Sequence, residues 1–266
     1  MLKPIPIEKI PAPGKKEFYR KYVSGNRPVV INGVMDKWAA LKIWNFQYFI
    51  KNFGNTETTT GRVKDGKGYV SINEGIVFKN STFKEALPIV EEGNIEESRT
   101  VITAVSALPS TVLNDYTPPE YCSDGRFLTS FMFLGAKGLV TPLHQDLQEN
   151  LYAVIKGKKK ITLFAPGAPV YPYSRFSKLP NFSQIDVGNP DYQQFPNLVH
   201  AQPYSVELEA GEILYIPSFW WHYISNAEPS IAMNFWWAVG WRIPIVWAGL
   251  LYGKIRNLGN HSISNK

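Results

Sequence analysis

The chain has 266 residues, of which 44% are hydrophobic and 14% aromatic; that supplies one sizeable core and excludes a disordered chain. A single cysteine, Cys122, excludes an internal disulfide framework and a cysteine-rich zinc site, and fits a reducing, cytoplasmic setting. The net charge of +6 comes from 28 basic against 22 acidic residues; the lysines are dispersed apart from "KGKKK" at 156–160, which reads as a solvated hairpin tip and gives nucleic acid little support as a partner.

In chain order, "MLKPIPIEKIPAPG" holds no continuous apolar run of the kind a secretory leader needs. "GKKEFYRKYVSGNRPVVINGVMDKW" predicts a helix, a Gly-Asn turn and a short β-branched strand at Pro28–Asn32. "WNFQYFIKNFG" has helical apolar spacing and a glycine stop at Gly54. "STFKEALPIVEEG" repeats that logic, with Ser81 as the predicted N-cap and Glu85 in the first turn. From Arg126 the pattern changes to short alternating segments punctuated by Gly, Pro and Asn, which predicts an antiparallel double sheet or barrel. The stretch 171–203 reads as a long ordered loop crossing the barrel mouth. The most apolar run, 231–253, carries Arg242 and Pro244 and alternates in its first half, so it reads as a buried strand and a short apolar helix, not a membrane span.

One constellation carries chemistry. In "TPLHQDLQENLYAVIKGKKKITLF" His144 and Asp146 stand two apart, which on a strand puts both on one face, and Asn150 shares their parity if no bulge intervenes. Alone, that pair also reads as a surface histidine beside a surface aspartate. His222 follows the apolar strand "GEILYIPSFWWH" in aromatic company, where it also reads as a core histidine bonded to a carbonyl. Two histidines and a carboxylate from neighbouring strands would form a facial triad that leaves one side of an octahedral metal open. Lys159 shares parity with Ile161 and Leu163, and an ammonium on that apolar face needs an anionic partner, unless it snorkels to solvent.

"TPLHQD…N…K" with "GEILYIPSFWWH" and "NFWW" resembles the jumonji-C (cupin-like) oxygenases that depend on Fe(II) and 2-oxoglutarate, nearest to the small protein-hydroxylase group of the factor-inhibiting-HIF type and the arginyl and lysyl hydroxylases. "RPVVINGVMDKW" and the mouth loop "YPY…SQIDVGNPDYQQFPN" extend the likeness over about residues 20–240. The resemblance implies a mainly β fold with flanking helices. It places a double-stranded β-helix (jelly-roll) core at 126–240, a helix and strand segment at 1–125 packed on it, and a C-terminal apolar helix and polar tail at 241–266. It implies His144, Asp146 and His222 as iron ligands. Lys159 and Thr141 would bind the distal carboxylate of 2-oxoglutarate, and Asn150 and Asn234 would line its pocket. It further implies hydroxylation of a protein or peptide side chain with succinate and CO2 as coproducts, and a homodimer through the C-terminal helix.

Two departures from the family pattern stand out. "RTVITAVSALP" lacks the tyrosine that many relatives place beside the cosubstrate carboxylate, and Asn181 and Phe182 replace a substrate-gripping arginine-glutamine pair. The same chemistry on a small molecule or tRNA base, and an idle metal-binding cupin acting as an interaction module, are the competing readings.

Overall fold

The computed structural model describes residues 1–63, 68–71, 73, 75–93, 99–123, 126–240, 242–249 and 251. Its strands are β1 (Ile5–Pro6), β2 (Lys9–Pro11), β3 (Val29–Asn32), β4 (Glu57–Val63), β5 (Ile76–Thr82), β6 (Thr100–Ala104), β7 (Arg126–Gly135), β8 (Val140–Gln145), β9 (Glu149–Lys156), β10 (Lys158–Phe164), β11 (Pro203–Glu209), β12 (Glu212–Ile216), β13 (Trp221–Asn226) and β14 (Ser230–Ala238). They form a five-stranded sheet, β1-β11-β10-β13-β8, and a nine-stranded sheet, β2-β3-β12-β9-β14-β7-β6-β4-β5. The sequence-predicted strands from Arg126 onward are all present, and the mainly β fold with flanking helices is the observed one.

Two layers of packing follow from strand periodicity. On the large sheet, Tyr152, Val154, Leu214, Ile216 and Ala232 meet Ile161, Leu163 and Ile224 of the small sheet in one core between the sheets. Their alternate neighbours Leu151, Ala153, Tyr215, Met233, Phe235 and Trp237 face outward, into a second core with Phe18, Phe49, Phe83 and Leu87. Seven consecutive residues of β9, Glu149–Ile155, are therefore buried, because both faces of the strand are covered. The strands contributed by residues before Arg126 lie in these same sheets: β2 and β3 at one end of the large sheet, β6, β4 and β5 at the other, and β1 on the small sheet.

The helices depart from the sequence reading at two ends. Phe46–Phe53 is capped by Asn45, whose side chain accepts from the Tyr48 amide at 2.8 Å. Gly54 follows at φ −54°, so left-handed geometry does not require a glycine there. The Ile50 carbonyl does, since a Cβ on Gly54 would lie 2.6 Å from it. For Phe83–Glu92 the N-cap is Thr82 rather than Ser81. β5 runs through Thr82, one residue past the predicted cap, and the Glu85 carboxylate accepts from the Thr82 amide at 2.9 Å, the reciprocal contact of a capping box.

Arg242 is the polar residue that broke the apolar run, and it is buried. It pairs with Glu149, which is 0% exposed and also accepts from Tyr215 Oη at 2.6 Å and the Ser218 amide at 3.1 Å. Arg242 also donates to Asn26 Oδ1 at 3.0 Å. The helix 242–249 is thus tied to the start of β9 and the turn after β12. Within it Val246 is buried, Ile245 and Trp247 are exposed, and Leu251 beyond it is exposed too. Gly249 presses on Leu147, where a Cβ would lie 2.3 Å from a methyl carbon. No helix among the described residues is long and apolar enough to cross a membrane; residues 252–266 of the predicted C-terminal segment lie outside the described residues.

Removing one member of a buried ion pair strands the other, at a cost of about 3–5 kcal/mol. Urea unfolding of Arg242→Leu should show a loss of that size, and the double variant Glu149→Leu/Arg242→Leu should recover most of it.

Candidate metal and dicarboxylate site

β8 and β13 pair antiparallel, with His144 directly opposite His222. The register then slips: Ile224 faces Thr141, so two residues on β13 span three on β8. In a regular strand positions i and i+3 point to opposite faces. The bulge corrects this and turns Thr141 to the same face as His144.

His144, Asp146 and His222 come together, with one ligating atom from each within 4.8 Å of the others. The imidazole centroids are 4.1 Å apart, and His222 Nε2 lies 3.6 Å from Asp146 Oδ2. His144 Nδ1 is 2.8 Å from the Pro142 carbonyl and His222 Nδ1 is 3.1 Å from the Trp220 carbonyl. A carbonyl only accepts, so both Nδ1 atoms carry the proton and both Nε2 lone pairs are free to ligate. Burial, together with His144, pushes the His222 pKa down to about 4, which keeps the ring in the neutral, ligating form at neutral pH.

Asp146 lies just past the end of β8 and is held from three sides. Trp236 Nε1 donates to its Oδ2 at 3.0 Å, its carbonyl accepts from the Phe219 amide at 2.8 Å, and Leu147 beside it is packed under Gly249. Phe219 has φ +66°, a costly backbone for a bulky residue and of the kind that collects at functional sites.

Lys159, on β10, is 4% exposed and its side chain faces inward, as its parity predicts. Its ammonium donates to Asn226 Oδ1 at 2.6 Å and sits 5.8 Å from the Tyr152 ring centroid. Asn226 was not legible in the sequence as a partner; it reaches Lys159 through the direct β10–β13 pairing. Among the described residues no carboxylate pairs with this ammonium, and burial pushes its pKa down to about 7. Asn150 and Asn234 lie on the inner face of the large sheet, opposite Trp236 and Tyr152 respectively. Asn150 Oδ1 is buried with no hydrogen-bond partner, whereas Asn234 Oδ1 accepts from the Phe131 amide at 2.9 Å.

The two departures noted in the sequence have structural counterparts. β6 presents Ile102 and Ala104, but no phenol, on the inner face opposite Phe133 and Phe131, and the phenol beside Lys159 is that of Tyr152 on β9. Asn181 and Phe182 clamp β8: the Asn181 carbonyl accepts from the Gln145 amide at 2.9 Å, and Phe182 stacks on His144 at 5.4 Å.

The comparisons with known proteins agree with this geometry. The cupin-like domain family matches residues 15–240. The chain belongs to that family. It is 30% identical over 246 residues to lysine-specific demethylase 8 of Xenopus tropicalis, covering 87% of this chain and 53% of that protein. It is 31% identical over 239 residues to lysine-specific demethylase JMJ30 of Arabidopsis thaliana, covering 87% and 54%. It is 29% identical over 267 residues to the bifunctional peptidase and (3S)-lysyl hydroxylase JMJD7 of Homo sapiens, covering 87% and 83%. The chain thus spans about half the length of the two demethylases. The jumonji-C branch of this cupin-like family works with Fe(II) and 2-oxoglutarate, and the residues present fit both. Two imidazoles and a carboxylate suit a divalent iron, while a buried ammonium with no carboxylate partner among the described residues and a buried Asn150 Oδ1 without a hydrogen bond suit a dicarboxylate.

The lysine gives the site a pH signature. A dicarboxylate beside Lys159 favours the charged ammonium, so binding takes up a proton wherever the empty site has lost it. Affinity for 2-oxoglutarate, measured by titration at constant metal, should hold below pH 7 and weaken by up to tenfold per pH unit above it. Lys159→Arg, charged throughout, should flatten the profile.

Proposed function

We propose that the chain is an Fe(II)- and 2-oxoglutarate-dependent dioxygenase that hydroxylates a side chain of a protein or peptide. The observation that carries this reading is the convergence of His144, Asp146 and His222, with Nδ1 of both rings turned to backbone carbonyls, in a fold that also buries the Lys159 ammonium with no carboxylate partner among the described residues. Iron with 2-oxoglutarate, when bound, supplies the oxidation: one atom of O2 enters a substrate C–H bond and the other leaves in succinate, with CO2 released.

The protein's own part is positioning. His144, Asp146 and His222 would hold the metal. Lys159, backed by Asn226, would hold the far carboxylate of the cosubstrate together with Thr141, and Asn150 and Asn234 would line its pocket. Trp236 fixes the Asp146 carboxylate, and the apolar wall of Leu214, Ile216 and Ala232 keeps water from the inner core. Losing the Lys159 charge would leave a buried carboxylate unpaired, about 3–5 kcal/mol by analogy with broken buried pairs, so affinity for 2-oxoglutarate should drop more than a hundredfold in Lys159→Ala.

A protein substrate is favoured by the names of the relatives, two of which are demethylases acting on lysine and one a lysyl hydroxylase. Hydroxylation and demethylation differ only in the target carbon: when it is an N-methyl group, the hydroxylated product is a carbinolamine that collapses to the amine and formaldehyde. We also propose self-association through the C-terminal helix, supported by the exposure of Ile245, Trp247 and Leu251.

Anaerobic addition of Fe(II) and 2-oxoglutarate should give a weak visible charge-transfer band that is absent in His144→Ala. With air and a broad peptide pool, succinate should form and products should carry a +16 mass shift. A band without any peptide product, and with hydroxylated tRNA instead, would favour the nucleic-acid reading; a loss of 14 mass units would mark demethylation.

A further inference from the structure

The large sheet is wider than the barrel that its inner face helps to close. Cross-strand partners share a face, so the register can be followed outward. Asn234 on β14 faces Phe131 on β7, which faces Ala104 on β6. Ile102, two residues away on the same face of β6, meets Thr59 on β4, which meets Asn80 on β5. Gly61 and Phe78 form the next pair along β4 and β5. The small sheet, which contains neither β6, β4 nor β5 as a neighbour, roofs the other end of this face.

A groove of about 710 Å³ lies here, lined among others by Thr59, Phe78, Asn80, Ile102, Ala104 and Phe131. Phe78 is 59% exposed, an unusual position for a large aromatic in a strand. Gly61 explains how it lies: a Cβ there would be 3.1 Å from the Phe78 ring and 3.4 Å from Ile102 Cδ1. The missing side chain lets the ring lie flat across β4 against Ile102, and makes an apolar seat open to solvent. At its inner end the groove reaches Phe131, which packs edge-on against Trp236 at 5.7 Å, and Trp236 donates to Asp146. Phe131 and Trp236 thus stand between the groove and the metal-ligand cluster, joined by side-chain contact.

We propose that this projecting sheet face is the docking platform for the polypeptide flanking the oxidised residue, with Phe78 as the seat for an apolar side chain. The inference rests on the protein-substrate reading and specifies where that substrate's chain runs. A groove open to solvent, whose inner wall Phe131 packs on the tryptophan that holds Asp146, fits an extended chain better than a compact small molecule. Among the polar members, Thr59 and Asn80 can bond a peptide backbone and Glu57 and Glu85 add negative charge, while the exposed Phe78 supplies an apolar side-chain preference. Three strand spacings separate β14 from β4, about 14 Å at about 4.8 Å each. The Gly61–Phe78 row lies six residues along β14 from Trp236, about 20 Å, so an extended peptide needs about seven residues to cover the diagonal of about 25 Å. The preferred apolar residue should accordingly lie about seven to eight positions from the one that is hydroxylated.

The test uses the full chain with Fe(II), 2-oxoglutarate, air and a pool of randomised 13-residue peptides, with oxidised products sequenced by mass spectrometry. The wild-type products should be enriched severalfold in aromatic or aliphatic residues at that offset. Phe78→Ser should erase the enrichment while leaving peptide-independent 2-oxoglutarate consumption unchanged. Gly61→Ala, which pushes a methyl into the seat and tilts the ring, should weaken it. Enrichment that persists in Phe78→Ser, or a wild-type product set with no positional preference, overturns the platform but leaves the oxygenase intact. Wild-type consumption of 2-oxoglutarate with no peptide oxidised overturns the protein-substrate reading and the platform together. A change in sedimentation mass in Phe78→Ser would assign the face to a second copy of the chain, and likewise overturns the proposal.

Discussion

The pairing of β8 with β13 is the constraint on which the site depends. Hydrogen bonding between these two strands sets His144 against His222, and the bulge between that pair and the next brings Thr141 round to the same side. A one-residue slip without the bulge would send one of the two histidines, or the threonine, to the opposite face. The mouth loop reinforces the register from the free side of β8, where Phe182 bridges His144 and Asn181 accepts from Gln145.

Around that pair the fold spends much of its buried polarity on holding groups still. Glu149 opens β9 one residue before Asn150, and its carboxylate gathers Tyr215, the Ser218 amide and Arg242. Ser218 and Phe219 belong to the turn that leads into β13, and the Phe219 amide bonds to Asp146. One buried carboxylate thus fixes the strand carrying Asn150, the turn before His222 and the helix that presses on Leu147 next to Asp146. Such a cluster contributes little net stability when complete; its effect is geometric, and a metal site needs its ligands placed to fractions of an ångström.

Much of this was legible in the sequence. Alternation gave the strands from Arg126 onward, and the parity of Lys159 with Ile161 and Leu163 placed the ammonium inside the barrel, as observed. What escaped were contacts set by register rather than by local pattern. Asn226 meets Lys159 from 67 positions away, Trp236 meets Asp146 from 90, and Arg242 meets Glu149 from 93. No local rule selects one asparagine or tryptophan among many, and a single-residue bulge leaves no compositional mark. The Ser81-for-Thr82 cap is the same lesson on a small scale: both residue types can cap, and where β5 stops pairing with β4 decides between them.

The most direct test of the account is the iron environment itself. X-ray absorption at the iron edge of the anaerobic protein loaded with one Fe(II) should show scattering from two imidazole rings alongside oxygen donors, falling to one ring in His222→Ala. An iron spectrum with no imidazole contribution, or one unchanged in that variant, would contradict it.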